Sequence, residues 1–64
     1  MYAKGDWVLH RLRGHTMRVQ RDQKTEGNET RMVWCEWQDG AYHLEAFDET
    51  EVAPLPRADW PGDG

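Results

Sequence analysis

The chain has one cysteine, Cys35, in 64 residues. That excludes an intramolecular disulfide framework of the kind that staples small secreted domains. Its apolar runs are at most four residues long, far short of the 18 or more that a membrane-spanning helix requires. The first residues show no cationic segment followed by an apolar stretch, the pattern of a secretory leader. Together these absences predict a soluble, cytoplasmic protein. No glycine-rich loop leads into a helix, so a phosphate cradle is not expected. Internal repeats and low-complexity tracts are also missing.

Such a short chain makes one domain with a small core and no second lobe to form a deep cleft. Seven aromatic residues partly offset the shortage of aliphatic ones, and four of them are tryptophans (Trp7, Trp34, Trp37 and Trp60). The net charge of −4 hides an uneven distribution. Residues 1–31 carry seven cations against four anions, a net of +3, and the remainder carries one against eight, a net of −7. In a small sheet the two halves are interleaved, so opposite charges are expected on neighbouring strands, where they are mildly stabilising.

Strand-like runs alternate with turn signals. The first covers Asp6 to Leu12 and closes at Arg13-Gly14. The second, Met17 to Gln20, sets Met17 and Val19 on one face and Arg18 and Gln20 on the other. Asp22 to Thr30 (DQKTEGNET) reads as a long polar loop around Gly27-Asn28, and Asn28-Glu29-Thr30 formally matches a glycosylation acceptor. In the third run, RMVWCEW, Val33, Cys35 and Trp37 share a face opposite Met32, Trp34 and Glu36, the mark of a central strand. Asp39-Gly40 signals a hairpin into a fourth strand, Tyr42 to Phe47. Asp48 to Glu51 suits one turn of 3₁₀ helix before a last short strand, Val52 to Leu55. The tail PLPRADWPGDG, with three prolines in eight residues, is expected to run extended and poorly ordered. The expected division is therefore a domain over residues 1–56 and a tail over 57–64, with the docking of Trp60 left open.

Five strands with a 3₁₀ turn before the last is the order of an SH3-like barrel. The chain also resembles the YodC-like family of small bacterial proteins. The matching residues are Gly5-Asp6 and Val8, then Gly14, Met17 and Val19, then Val33 with Cys35 and Trp37, and finally Phe47 with Val52. They span about residues 3–55. The resemblance implies an SH3-like β-barrel and no established biochemical activity. The chain departs from the family pattern at His10, where an apolar residue is usual, and at Arg13, where a small one is. Alternation and resemblance give the same expected core: Val8, Met17, Val19, Val33, Cys35, Trp37, Phe47 and Val52, with Leu55 closing one end. Losing the Trp37 ring is then expected to cost about 3–5 kcal/mol.

The candidate chemistry is thin. A nucleophile needs a partly exposed thiolate with a base in reach, whereas Cys35 falls between core positions of a central strand. His10, His15 and His43 show none of the short spacings that announce a zinc site. Asp48, Glu49 and Glu51 lie on a solvated turn, without the enclosure that separates the pKa values of an acid and a base. The expectation is a protein that is not an enzyme and has no cofactor, metal or small-molecule substrate. Two binding readings remain. Trp7, Trp34 and Tyr42 fall on the face left over from the core, and they suit a protein partner or self-association. Alternatively, Arg11, Arg13, Arg18 and Arg21 of the first hairpin line a face for RNA or single-stranded nucleic acid beside exposed aromatics. The acidic balance weighs against the second, because any basic stripe works within a negative field.

Overall fold

A computed structural model describes residues 1–27 and 30–62. The Asn28 acceptor signal lies outside the described residues. The five strands are β1 (Trp7–His10), β2 (Thr16–Lys24), β3 (Arg31–Gln38), β4 (Tyr42–Asp48) and β5 (Val52–Pro54). They form one antiparallel sheet in the order β4-β3-β2-β1-β5, with a 3₁₀ turn at Glu49–Glu51 between β4 and β5. Among the described residues no ladder joins β4 to β5, so the sheet has two edges.

Cross-strand register determines which side chains share a face. Val8 faces Met17, Val19 faces Cys35, Val33 faces Phe47, and His10 faces Val52. All eight lie on the inner face and are buried. The seven apolar ones are seven of the eight expected core residues; the eighth, Trp37, is half-buried and packs against them with Tyr2. Leu55, expected to close one end, is also half-buried. At about 1.5–3 kcal/mol for each fully buried large aliphatic or aromatic side chain, this small cluster is the main favourable term of the fold.

Two strand ends differ from expectation by two residues or more, each for a local reason. β1 stops at His10 rather than Leu12 because the His10 Nδ1 accepts the backbone N–H of Leu12 and of Arg13, at 3.2 and 3.1 Å, turning the chain away from the ladder. The Gly14 N–H, from a residue with φ of +80°, then donates to the His10 carbonyl and closes the reversal. β2 instead runs on to Lys24, through what reads as loop. Its register against β3 shifts between Val19 and Arg21, so that Val19 faces Cys35 and Arg21 faces Trp34, with Gln20 as the extra residue of a β-bulge. The shift reverses the alternation beyond that point. Asp22 now faces Val33 on the inner side and Arg21 faces outward.

The bulge lets Asp22 and Arg31 meet. The Asp22 side chain is only 2% exposed, and it accepts the Arg31 Nε–H at 2.6 Å and the Tyr2 backbone N–H at 2.6 Å. Burial alone would push its carboxyl up, but the Tyr2 N–H and the Arg31 guanidinium outweigh that and hold it below the usual aspartate value. The tail also departs from a fully extended course. Arg57–Asp59 makes a second 3₁₀ turn, the Trp60 indole N–H donates to the Leu55 carbonyl at 2.8 Å, and Arg57 lies 4.4 Å over the Trp60 ring.

Replacing Asp22 with Asn keeps the shape and removes the charge opposite Arg31. The expected cost at neutral pH is about 2–3 kcal/mol, less than for a fully buried pair because Arg31 keeps some access to water. Because the folded pKa of Asp22 is depressed, its contribution is complete above the ordinary value of 3.8 and is lost as pH falls through the folded value. Urea midpoints of the wild type and D22N should therefore converge on acidification below pH 3.8; a gap that stays constant across the series contradicts this role.

Candidate functional site

The outer face of the sheet carries the residues that sequence reasoning assigned to partners. Its ladder rows place Trp7 beside Arg18, Arg18 beside Glu36, and Glu36 beside Leu44, crossing β1, β2, β3 and β4 in turn. Trp7 on β1 and Tyr42 on β4 bound an open groove of about 430 Å³, lined between them by Thr16, Arg18, Glu36 and Gln38. Trp37 and Pro61 complete its lining.

Glu36 organises this groove. Its two carboxylate oxygens accept the Gln20 amide at 2.5 Å and the Tyr42 hydroxyl at 2.8 Å, so the bulge residue and the edge-strand tyrosine are tied to one central carboxylate. Donating to Glu36 makes the Tyr42 hydroxyl harder to ionise and raises its pKa. The Arg18 guanidinium lies 5.9 Å from the Trp7 ring centroid, a cation-π distance. The groove thus offers two aromatic surfaces with one cation and one anion between them. That arrangement can hold an extended chain by apolar contact and fix its polar groups from both signs.

The expected site residues divide between surfaces. Trp7, Tyr42 and Arg18 come together in the groove. Trp34 and Arg21 do not join them; they line a second concavity with Gln20 and Leu44. Arg11 and Arg13 lie in the β1–β2 turn, and the Arg13 guanidinium reaches Glu45 at 3.8 Å and sits 5.7 Å over Phe47, an inner-face residue. The four arginines consequently do not form one continuous stripe.

Sequence reasoning missed the inner-face aromatic cluster. Trp37 is stacked by His15 at 4.7 Å on the β2 side and by His43, its β4 ladder partner, at 4.8 Å. His10 meets Phe47 edge-on at 5.0 Å. Asp39 accepts from the His43 Nε2 at 2.8 Å, and this hydrogen bond holds the Asp39 carboxyl below its usual range. Extending the Asp-Gly hairpin register back from Gln38 and Tyr42 pairs Trp37 with His43, so that contact had a signal in the sequence. The His15 contact had none, because it depends on how the His10–Gly14 turn closes.

Other chemistry-bearing residues have structural occupations. Cys35 is fully buried, and burial pushes its thiol up to about 12. Asp48 caps the first 3₁₀ turn by accepting the Thr50 N–H, which lowers its pKa, while Glu51 accepts the Asp48 N–H in return. Among the described residues no three His, Cys, Asp or Glu side chains are grouped to hold a metal ion. No family model, curated protein or solved structure matches the chain.

Two outcomes test this account of the inner face. A thiol reagent at neutral pH should leave the native protein unlabelled and modify its one cysteine after denaturation; labelling at the rate of a free thiol would contradict the burial of Cys35. His10→Leu removes the acceptor for two turn N–H groups that water can partly replace, at an expected cost of about 1 kcal/mol. Amide exchange at Leu12 and Arg13 should quicken selectively, and unchanged protection would show that His10 does not hold the turn.

Proposed function

We propose that this chain is a small, non-catalytic binding or adaptor module of the cytoplasm, an SH3-like barrel akin to the YodC-like proteins, that holds an extended protein segment in the groove between Trp7 and Tyr42. The observation that carries the reading is the convergence of Trp7, Tyr42 and Arg18 on one groove, since Trp, Tyr and Arg are the side chains most enriched at binding hot spots. Pro61 adds to it. A proline of this chain's own tail lines the same groove, and aromatic-lined grooves are suited to extended, proline-bearing segments.

The SH3-like reading is supported by the strand order and by the first 3₁₀ turn, which leads into β5 and packs against β3, β4 and β5. The YodC-like reading is supported by the match between the quoted family residues and the buried cluster of Val8, Met17, Val19, Val33, Cys35, Phe47 and Val52. A non-catalytic role accords with a buried, protonated Cys35 and with carboxylates spent on capping. Among the described residues no helix is long and apolar enough to cross a membrane. Nucleic-acid binding through Arg11, Arg13, Arg18 and Arg21 draws less support, because Arg13 is engaged by Glu45 and Arg18 and Arg21 line separate concavities.

A displayed library of extended, proline-containing peptides, followed by titration in tryptophan fluorescence, tests this function. Trp7→Ala and Tyr42→Ala should each weaken the selected peptides about tenfold or more, equivalent to about 1.4 kcal/mol, without a matching loss of thermal stability. Binding that survives both substitutions overturns the groove assignment. Capture only of nucleic acid, falling steeply with salt and lost in Arg18→Glu, would replace a protein partner with RNA or single-stranded DNA.

A further inference from the structure

The two edges of the sheet are protected very differently. β5 is three residues long and includes Pro54, which has no N–H to offer a neighbouring strand. β4 is seven residues long, contains no proline, glycine or lysine, and keeps an unbroken register against β3 from Gln38 opposite Tyr42 to Met32 opposite Asp48. Of the features that natural sheets use to blunt an edge, it has the inward-facing Glu45 but no proline, lysine or break in register. The apolar surface gathers at the same edge. Of the five exposed large hydrophobic residues described, three lie on the outer face of β3 and β4: Trp34 at 37% exposure, Tyr42 at 57% and Leu44 at 50%.

We propose that β4 is a self-association edge, pairing antiparallel with β4 of a second copy of this chain about a two-fold axis at Leu44, to make one continuous ten-stranded sheet. The charge pattern selects this register. With Leu44 opposite Leu44 of the partner subunit, Tyr42 faces Ala46 of the partner subunit on the outer side, and His43 faces Glu45 of the partner subunit on the inner side. Both positions are reachable, and an imidazole N–H can donate to a carboxylate: His43, bonded to Asp39, is 40% exposed, and Glu45, paired with Arg13, is 49% exposed. Shifting the axis by one residue sets Glu45 against its own copy, a direct repulsion, or His43 against its own copy. Across this axis the outer apolar patches of the two subunits become contiguous, with Leu44 at the centre and Trp34 on either flank. One strand pair and three side chains per subunit make a small interface, below about 1,200 Å², so the dimer is weak and depends on concentration.

Sedimentation or light scattering over a dilution series into the millimolar range tests the proposal. The wild type should approach twice 7.5 kDa at the top of the series and fall to 7.5 kDa on dilution. Leu44→Lys and Leu44→Glu should each remain at 7.5 kDa throughout, with thermal stability close to wild type because Leu44 is half exposed. An equimolar mixture of the two variants should regain the heavier species, since the two-fold axis brings the Lys against the Glu. A wild type that stays monomeric, variants that still associate, or a mixture without rescue each overturns it. Trp7→Ala should dimerise normally, which separates failure of the edge from failure of the groove.

Discussion

The buried contact between Asp22 and Arg31 fixes which side of β2 faces the core. Without the extra residue at Gln20, a regular ladder would continue from Val19 opposite Cys35 to Arg21 opposite Val33, and a cation would be driven against the apolar cluster. The bulge places Gln20 and Arg21 together opposite Trp34 and turns Asp22 inward, where the Arg31 guanidinium and the Tyr2 N–H satisfy its carboxylate. A buried carboxylate without such partners is costly, so the bulge and the ion pair stabilise each other. Tyr2 is drawn into the same arrangement and covers that end of the core.

The two faces of the sheet then serve separate purposes. The inner face combines seven buried apolar side chains with a rim of histidines, in which His10 holds the β1–β2 turn while His15 and His43 stack on Trp37. Arg13 extends from that turn to Glu45 and joins the basic first half of the chain to the acidic second half. The outer face keeps Trp7, Arg18, Glu36 and Tyr42 accessible because the inner face and the Asp22 contact hold their strands without them. Glu36 links the faces in sequence: it stands between Cys35 and Trp37, both turned inward, and carries the groove's central hydrogen bonds.

Much of the core was legible because a half-buried strand repeats every two residues. Val8, Met17, Val19, Val33, Cys35, Phe47 and Val52 all follow that period and are all buried. The extension of β2 was not legible. A one-residue bulge inverts the alternation, so Asp22 to Lys24 reads as polar loop although it continues the ladder. His10 was visible as a polar residue in an apolar place, but its capture of two turn N–H groups depends on a conformation that periodicity does not encode. In the groove, the aromatic residue types could be found from sequence, yet their grouping could not. Trp34 and Tyr42 lie on neighbouring strands with the same facing, and only the full register separates Trp34 into another concavity and brings Trp7 across two strands toward Tyr42.

The facing of β2 beyond Val19 follows from the reversal of alternation at Gln20, and the most direct measurement is the cross-strand register of β2 against β3 by nuclear Overhauser contacts. The expected contacts join Val19 to Cys35, Arg21 to Trp34 and Asp22 to Val33, with Gln20 outside the regular ladder. Contacts joining Gln20 to Trp34 and Arg21 to Val33 would show an unbroken strand, and would contradict both the Asp22–Arg31 contact and the outward facing of Arg21 beside Trp34.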